Sequence, residues 1–348
     1  MPQWPDIQKW QHHETAENRI QARNLSNEYK ISSILARLLI ARNLTSKQLI
    51  WNFLEPHFKH CHDPFMMRDM DHAVQRLITA LRLGEKVVIY GDYDVDGTVG
   101  TVLLYRFLQR LGVRVSYFIP KRLKDGYGLT EQTLMELKTR QARLIITVDN
   151  GARAVEEAAF LKRMGIDLLI TDHHPPGEQM PEALAMVNPM RPDCPYPFKG
   201  LSGAGVAFKL LEALDHQLSV DGFWERTGKV RADLQQELDL VAFATISDSM
   251  PMTDENRYFI QKGLELMNPC RRPGFQALLR VCGVRGRVTS TEISFKLAPK
   301  INAAGRVDDP NLAVRLLLSQ SLAEARPFAD KMFALNQQRQ KIEESVLN

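Results

Sequence analysis

The sequence has few cysteines and little net charge, and it lacks any long apolar run. Its four cysteines are widely scattered without a C-x-x-C pair, so they indicate neither a disulfide framework nor a zinc site. No apolar run approaches the ~18 residues that span a membrane, and no basic-plus-apolar signal sequence opens the chain. These absences predict a cytoplasmic protein without a membrane segment. The net charge of +4 is too small to indicate a nucleic-acid partner by itself.

Three carboxylates occupy alternate positions in one short loop. Asp92, Asp94 and Asp96 lie within the stretch Gly-Asp-Tyr-Asp-Val-Asp-Gly at residues 91–97, directly after an apolar run at residues 87–90 that reads as a buried strand. Carboxylates this close together repel one another, which raises at least one pKa unless a cation neutralises the charge. Because hard oxygen ligands suit Mg²⁺, Mn²⁺ or Ca²⁺, the loop predicts a cation site.

A calcium-binding EF-hand loop opens with the same spacing of acids. Counting Asp92 as the first position, the twelfth is Leu103, where an EF-hand has a bidentate glutamate. An EF-hand loop also follows a helix, whereas this loop follows a predicted strand. Calcium therefore stays a minor alternative to Mg²⁺ or Mn²⁺.

Other polar motifs end apolar runs in the same way. Asp149-Asn150-Gly151 and Asp172-His173-His174 each follow an apolar strand directly, and Asp248 closes a fourth apolar stretch. Sites in open α/β sheets gather outside the carboxyl ends of the strands, so these motifs are expected to converge. One such acid alone is more often a helix cap or a turn residue, but together they predict a dinuclear metal site.

The pattern of elements predicts the fold class. With 348 residues, of which 44% are hydrophobic, the chain can bury the core of one large or two modest domains. Strands and helices alternate from residue 85 to about residue 190, which predicts an α/β fold with a parallel sheet flanked by helices. A helical subdomain and a long C-terminal helix follow. The predicted segments are an N-terminal helical segment at 1–60, an α/β domain at 61–200, a mainly helical part at 201–320 and a connecting helix at 321–348.

Positive charge is distributed unevenly. Residues 271–287 contain five arginines and no acid, and Lys121, Arg122 and Lys124 lie close together. An isolated basic run is usually a solvated surface, but beside a metal site it becomes a candidate for phosphate contact.

The order and content of these motifs resemble the DHH phosphoesterase family, which is named for the triplet at residues 172–174. Within this family the chain is similar to the exonucleases that degrade single-stranded DNA. Further matching segments are R-L-K-D-G-Y-G at 122–128, L-S-G-A-G-V-A at 201–207, A-T-I-S-D-S-M-P at 244–251 and N-A-A-G-R-V-D-D at 302–309. The resemblance runs from about residue 30 to the C-terminus. It implies the DHH fold and phosphodiester hydrolysis in DNA repair and recombination.

The resemblance also implies two divalent ions, Mn²⁺ or Mg²⁺. Asp94 and Asp149 would bind the first ion, with Asp92 nearby in a catalytic role. The ligands of the second ion would be Asp96, Asp149, His173 and Asp248, so that Asp149 bridges the two ions. A bridging carboxylate fits ions about 3.5–4 Å apart that act on the attacking and leaving oxygens of a phosphodiester.

The two adjacent histidines are expected to differ in role. Successive residues that leave a strand point to opposite sides, so His173 and His174 are not expected to bind the same ion. His174 then suits a catalytic, phosphate-facing position, which the resemblance also implies. A structural histidine bonded to the backbone is the alternative.

Four residues are implied to bind the substrate. Arg122 and Arg306 would hold phosphates of the strand, for which arginine has a suitable bidentate geometry. Asn302 and Gly305 would shape the loop that presents Arg306. The implied partners are single-stranded DNA and a single-strand-binding protein.

Relatives of this kind carry a second domain with a G-G-x-H motif, commonly followed by an oligonucleotide-binding barrel. The sequence contains no such motif, so the expectation is a catalytic core that lacks both parts and grips its substrate weakly. The predicted function is a 5′-to-3′ exonuclease acting on single-stranded DNA by a two-metal-ion mechanism. The alternatives are a DHH phosphoesterase acting on short nucleotides and a truncated, inactive DHH protein acting as a binding subunit.

Overall fold

A computed structural model describes residues 15–121, 126 and 128–347. The chain divides between His60 and Cys61 into two compact units. The smaller unit contains the helices Ala16–Tyr29, Ser33–Ile40 and Lys47–Leu54, and each helix begins after a Thr or Ser whose hydroxyl accepts a hydrogen bond from a first-turn amide. Its apolar core is formed by Ala22, Leu25, Ala36, Leu39, Ile40 and Ile50.

The larger unit is built on a five-stranded parallel sheet with the strand order β2-β1-β3-β4-β5. The strands are β1 Lys86–Gly91, β2 Arg114–Phe118, β3 Leu144–Val148, β4 Asp167–Thr171 and β5 Ala185–Val187. Successive residues of β1 enter different apolar cores, since Val87 and Ile89 pack into the larger core and Val88 and Tyr90 into the smaller one. Helices cover both faces of the sheet, so the predicted α/β fold is confirmed.

Helices connect the strands and continue beyond them. Those within the sheet region are Met70–Leu83, Val95–Leu111, Glu131–Thr139 and Val155–Arg163. Those that follow are Gly203–Val220, Phe223–Thr227, Leu238–Ser247, Asp254–Met267, Pro273–Val281, Ala298–Val307, Asn311–Leu318 and Leu322–Leu347. A short turn of helix at Ser290–Glu292 and a π-helical stretch at Ile293–Leu297 lead into the helix Ala298–Val307.

The helix Leu238–Ser247 is the centre of the helical part. Its residues from Leu238 to Ile246 are all buried, and it packs against the helix Asp254–Met267. A Cβ at Gly263 would lie 2.2 Å from the Leu238 carbonyl oxygen, so glycine is needed for this close approach. The packing fixes the C-terminal end of the helix Leu238–Ser247, where Asp248 follows.

Within the described ranges, no helix combines the length and the hydropathy that crossing a bilayer requires.

Candidate metal centre

The strand register brings three acids into one row. Gly91, Val148 and Thr171 are aligned on neighbouring strands. The residues that follow them are Asp92, Asp149 and Asp172, so three carboxylates leave the sheet at the same level. This is the convergence at the carboxyl edge that the sequence predicted.

The loop after β1 holds two of its acids by hydrogen bonds to backbone amides. Asp94 begins the helix Val95–Leu111 and accepts a hydrogen bond from the Gly97 amide at 3.0 Å. Asp92 accepts one from the Tyr93 amide at 2.8 Å. A Cβ at Gly97 would lie 2.5 Å from the Asp92 nitrogen, so the turn requires glycine there. A strand precedes this loop, which excludes the EF-hand.

Asp96 lies deeper than the other two acids of the loop. Its carboxylate accepts hydrogen bonds from the amides of Gly203 at 2.5 Å and Ala204 at 2.9 Å. These amides belong to the first turn of the helix Gly203–Val220, whose positive end favours an anion. Burial, and next the charges of Asp248 and Asp94, nevertheless raise the pKa of Asp96 to about 8.

Asp149 lies at the centre of the cluster and is only 2% exposed. Its backbone φ of 62° is in the left-handed region, which non-glycine residues adopt rarely. Although His173 Nε2 lies 3.0 Å from its Oδ1, that oxygen accepts no hydrogen bond of suitable geometry from the residues that the structure describes. Burial, followed by the charges of Asp96 and Asp94, raises the pKa of Asp149 well above its usual range. An ionised carboxylate in this position therefore needs a cation.

Asp172 orients both histidines, a role that the sequence reasoning missed. Its Oδ1 accepts hydrogen bonds from the amides of His173 at 2.7 Å and His174 at 3.1 Å, and it lies 2.9 Å from His174 Nδ1. Its Oδ2 accepts a hydrogen bond from the Ala152 amide at 2.8 Å. The signal in the sequence was an acid between a strand and two histidines, where local side-chain to backbone bonds are common.

His173 faces the deep part of the cluster. Its Nε2 lies 3.0 Å from Asp149, 3.6 Å from Asp248 and 3.7 Å from Asp96. Burial, and next the neighbouring His174, lowers the pKa of His173 to about 4. The ring is therefore neutral at physiological pH, which is the form that binds metals.

The rings of His173 and His174 lie side by side, with centroids 4.4 Å apart. His174 Nδ1 lies 3.7 Å from Asp149 Oδ1, so both rings approach the same carboxylate. The expectation that they diverge was wrong, because β4 ends at Thr171 and Asp172 draws both following amides to one oxygen. The rings still differ: His174 is 45% exposed, and its hydrogen bond with Asp172 raises its pKa.

Asp248 reaches the cluster from a helix and not from a strand. It follows the last residue of the helix Leu238–Ser247, and its amide donates to the Ala244 carbonyl. Burial, and next the charge of Asp94, raises the pKa of Asp248 to about 6.

These side chains fit divalent cations. Among the described residues, three sets have ligand atoms within 4.8 Å of one another: Asp92, Asp94 and Asp149; Asp96, His173 and Asp248; and Asp149, His173 and His174. The carboxylate oxygens of these sets are the ligands that suit Mn²⁺ and Mg²⁺. Asp149 and His173 each occur in two of the sets, so the sets form one continuous centre.

The segment with Asn302, Gly305 and Arg306 is not the loop that the sequence suggested, because it lies in the helix Ala298–Val307. Asn302 accepts a hydrogen bond from the Val95 amide at 3.0 Å. A Cβ at Gly305 would lie 2.5 Å from the Tyr93 carbonyl oxygen. Both residues therefore pack against the acidic loop, and the exposed Arg306 lies one residue further along the same helix.

The other basic residues that the sequence suggested for phosphate contact differ in their exposure. Arg122 lies outside the described residues. Arg272, within the basic stretch at 271–287, is bound by Asp239 at 2.8 Å and Glu237 at 3.0 Å and is largely buried. This arginine holds two helices together and is not free for phosphate. Arg271, Arg280, Arg285 and Arg287 are exposed.

Fold and site together define a metal-binding α/β domain of the DHH type, and comparisons with known proteins agree. The model for the DHH family, N-terminal domain, matches residues 86–245. The single-stranded-DNA-specific exonuclease RecJ of Bacillus subtilis (strain 168) is 39% identical over 321 residues, which cover 92% of this chain and 39% of that protein.

Two solved structures are also similar. A crystal structure of exonuclease RecJ bound to manganese has 36% sequence identity and a TM-score of 0.70, over 81% of this chain and 69% of that one. RecJ from Thermus thermophilus in complex with Mn²⁺ has 32% identity and a TM-score of 0.76, over 94% of this chain and 45% of that one. This chain therefore belongs to the DHH family, and more particularly to its RecJ branch. It spans between 39% and 55% of the length of the curated RecJ relatives it matches.

Proposed function

We propose that this chain is the catalytic core of an exonuclease that hydrolyses the phosphodiester bonds of single-stranded DNA from the 5′ end with two divalent ions, Mn²⁺ or Mg²⁺. The observation that carries the proposal is the arrangement around Asp149, whose buried carboxylate lies among metal-binding side chains from three strand ends and a helix. The names of the RecJ relatives supply the substrate, and the Mn²⁺-bound structures supply the kind of ion.

The ligands divide into two sets. Asp92, Asp94 and Asp149 would hold one ion, and Asp96, His173 and Asp248 would hold the other together with Asp149. When bound, the two ions would supply an activated water and stabilise the oxygens of the phosphodiester. Asp149 belongs to the first of these sets and lies 3.0 Å from His173 of the second, so both ions would depend on the placement of this one side chain.

His174 would act on the substrate at the open side of the centre. Its ring is half-exposed, and the bond with Asp172 fixes its orientation and favours its protonated form. A protonated imidazole there donates to a phosphate oxygen and neutralises charge. A pocket of about 290 Å³, lined by His174, Asn150, Arg153 and Gly128 among others, opens beside the ring and offers room for part of a nucleotide.

Arg306 would bind a phosphate further along the strand, because it is exposed on the helix that packs against the acidic loop. Arg122 is proposed for the same role from its motif alone. A single-strand-binding protein as partner is a part of the proposal that rests on the resemblance, and a cytoplasmic location is a part that rests on the sequence pattern.

End-labelled DNA tests the proposal. Single strands labelled at the 5′ or the 3′ end and a blunt duplex are incubated with the protein in Mn²⁺, with Asp149→Asn as the inactive control. Early release of the 5′ label from the single strand, without degradation of the duplex, is expected. Early release of the 3′ label or equal cutting of the duplex would contradict the exonuclease proposal. Hydrolysis limited to dinucleotides would favour the phosphoesterase of short nucleotides, and binding without hydrolysis the inactive subunit.

A further inference from the structure

A stripe of exposed and partly buried side chains runs along the helical segment that ends beside the metal centre. Phe295, Pro299 and Arg306 follow one another at spacings of four and seven residues, and Lys296 and Lys300 form the neighbouring row. Phe295 and Arg306 are eleven positions apart, which corresponds to a rise of about 16 Å and is comparable to a few nucleotides. We call these five residues the 295–306 stripe.

Pro299 explains the irregular backbone at the start of the stripe. A proline has no amide hydrogen, and its ring clashes with the carbonyl four residues earlier, which here is that of Phe295. The backbone accommodates the proline by a π-helical stretch at Ile293–Leu297, in which the Ala298 amide donates to the Ile293 carbonyl. Such stretches occur often at functional sites.

The π-helical stretch leaves an aromatic ring in solvent. Ile293 and Leu297 are fully buried and anchor the backbone, whereas Phe295 between them is 75% exposed. A single exposed apolar residue is common and needs no explanation. Phe295 differs because its immediate surroundings are basic and because its helix ends at the acidic loop.

The charges on the stripe are of one sign. Between Ile293 and Val307 the sequence contains Lys296, Lys300 and Arg306 and no acid. Lys296 lies 3.6 Å from Glu292, and because the lysine is 49% exposed this ion pair holds it weakly. At the other end, Asn302 and Gly305 attach the helix to the backbone of the acidic loop. The stripe therefore leads from an exposed ring, past three cations, to the metal centre.

We propose that the 295–306 stripe is the track along which a single strand approaches the metal centre, with one unpaired base stacked on Phe295 and phosphates bound by Lys296, Lys300 and Arg306. The inference rests on the proposed function, since it takes the strand to be the substrate. An aromatic ring among cations is the combination that binds single strands without reading their sequence. A duplex presents no free base face, so Phe295 contributes to binding of single strands alone.

The test measures binding and cutting separately. Fluorescence anisotropy in Mn²⁺ reports binding of a labelled, nuclease-resistant phosphorothioate strand of about 20 nucleotides, long enough to cover the stripe. Phe295→Ala is expected to weaken binding about tenfold, Phe295→Trp to retain it, and neither to change duplex binding. Val230→Ala, at a site that is 91% exposed, is the matched control and should bind like the wild type.

The lysines have their own readout. Each phosphate contact adds about 0.7 to the slope of log affinity against log salt for a single strand. Lys300→Gln is therefore expected to lower that slope by about 0.7. Lys138→Gln, on the exposed face of the helix Glu131–Thr139, should leave the slope unchanged.

Hydrolysis separates this inference from the proposed function. A dinucleotide is too short to reach Phe295, so Phe295→Ala should keep wild-type cleavage of a dinucleotide while losing cleavage of the longer strand. Equal cleavage of both substrates by wild type and Phe295→Ala would overturn the stripe and leave the exonuclease intact. Strand binding that depends on Phe295 without hydrolysis of either substrate would support the stripe and overturn the exonuclease. Strand binding that Phe295→Ala leaves unchanged, or no strand binding at all, would overturn the stripe.

Discussion

Gly203→Ala should inactivate the metal centre without replacing any ligand. The added Cβ would lie 2.6 Å from Asp149 Cβ and 2.8 Å from its Oδ1. Carbon atoms pack best at about 3.5–4.0 Å, so the backbone segments that carry Gly203 and Asp149 must separate by about 1 Å. Neither side can yield easily, because the Gly203 amide is bound to Asp96 and the Asp149 amide to the Thr171 carbonyl at 3.0 Å. A displacement of this size is expected to cost about 100-fold in activity.

Gly205→Ala is the matched control on the same helix. The nearest atom to a Cβ at Gly205 is Leu201 Cδ2 at 3.4 Å, an ordinary contact. Both variants gain the same helix propensity, so a difference between them reports the contact with Asp149. Hydrolysis of a labelled single strand and calorimetric titration with Mn²⁺ are the assays, with thermal unfolding to verify the fold. Near-normal activity and Mn²⁺ affinity in Gly203→Ala would refute the role given to this close approach.

Three further predictions concern the acids and the loops that hold them. Asp149→Ala should abolish both Mn²⁺ sites in calorimetric titration, because the shared carboxylate is lost. The pKa of Asp96 is raised to about 8 and that of Asp248 to about 6, so the metal-free folded protein holds protons that the unfolded chain releases. The melting temperature of the metal-free protein should therefore fall as the pH rises from 4 to 8. For the same reason, Mn²⁺ binding should release protons and strengthen over this range. Asn256→Ala should weaken Mn²⁺ binding, because its buried Nδ2 ties the Gly200 carbonyl at 2.6 Å to the Pro251 carbonyl at 3.0 Å, between the segments that carry Gly203 and Asp248.

Each of these predictions has a control and a contrary outcome. Two Mn²⁺ sites of near-normal affinity in Asp149→Ala would contradict the shared carboxylate. Asp96→Asn cannot ionise, so it should flatten the pH dependence of the metal-free melting temperature, and an unchanged dependence would count against the raised pKa of Asp96. Asn268→Ala removes the same kind of bridge, between the Leu264 and Val288 carbonyls. If both asparagine variants lost Mn²⁺ affinity, the effect of Asn256→Ala would be attributed to general destabilisation of the fold.

The strands that carry the acids could be predicted because their residues are buried on both faces. The apolar strand predicted directly before Asp149 is the strand Leu144–Val148, and the carboxyl-edge rule then predicted that Asp149 meets Asp92 and Asp172. The strand Ala185–Val187 was not predicted, because three apolar residues are too few to distinguish the period of a strand from that of a helix.

Local hydrogen bonds and long-range packing limited the rest. The two histidine rings lie side by side because the backbone amides of both residues donate to Asp172 Oδ1. The alternation of side chains along a strand does not predict such hydrogen bonds. The helical state of residues 302–306 depends on contacts with the loop after β1, about 200 residues earlier in the chain. The helix Leu238–Ser247 begins only after a 3₁₀ turn at Leu234–Glu237 that the Asp233 side chain caps, a boundary that depends on one local hydrogen bond.

The most direct test of the account is the number and position of ions at Asp149. Crystals soaked in Mn²⁺ and measured at the manganese absorption edge would show each ion as an anomalous peak. The account predicts two peaks about 3.5–4 Å apart, one beside Asp92 and Asp94, the other beside Asp96, His173 and Asp248, with Asp149 touching both. A single peak, or two peaks of which only one contacts Asp149, would contradict it.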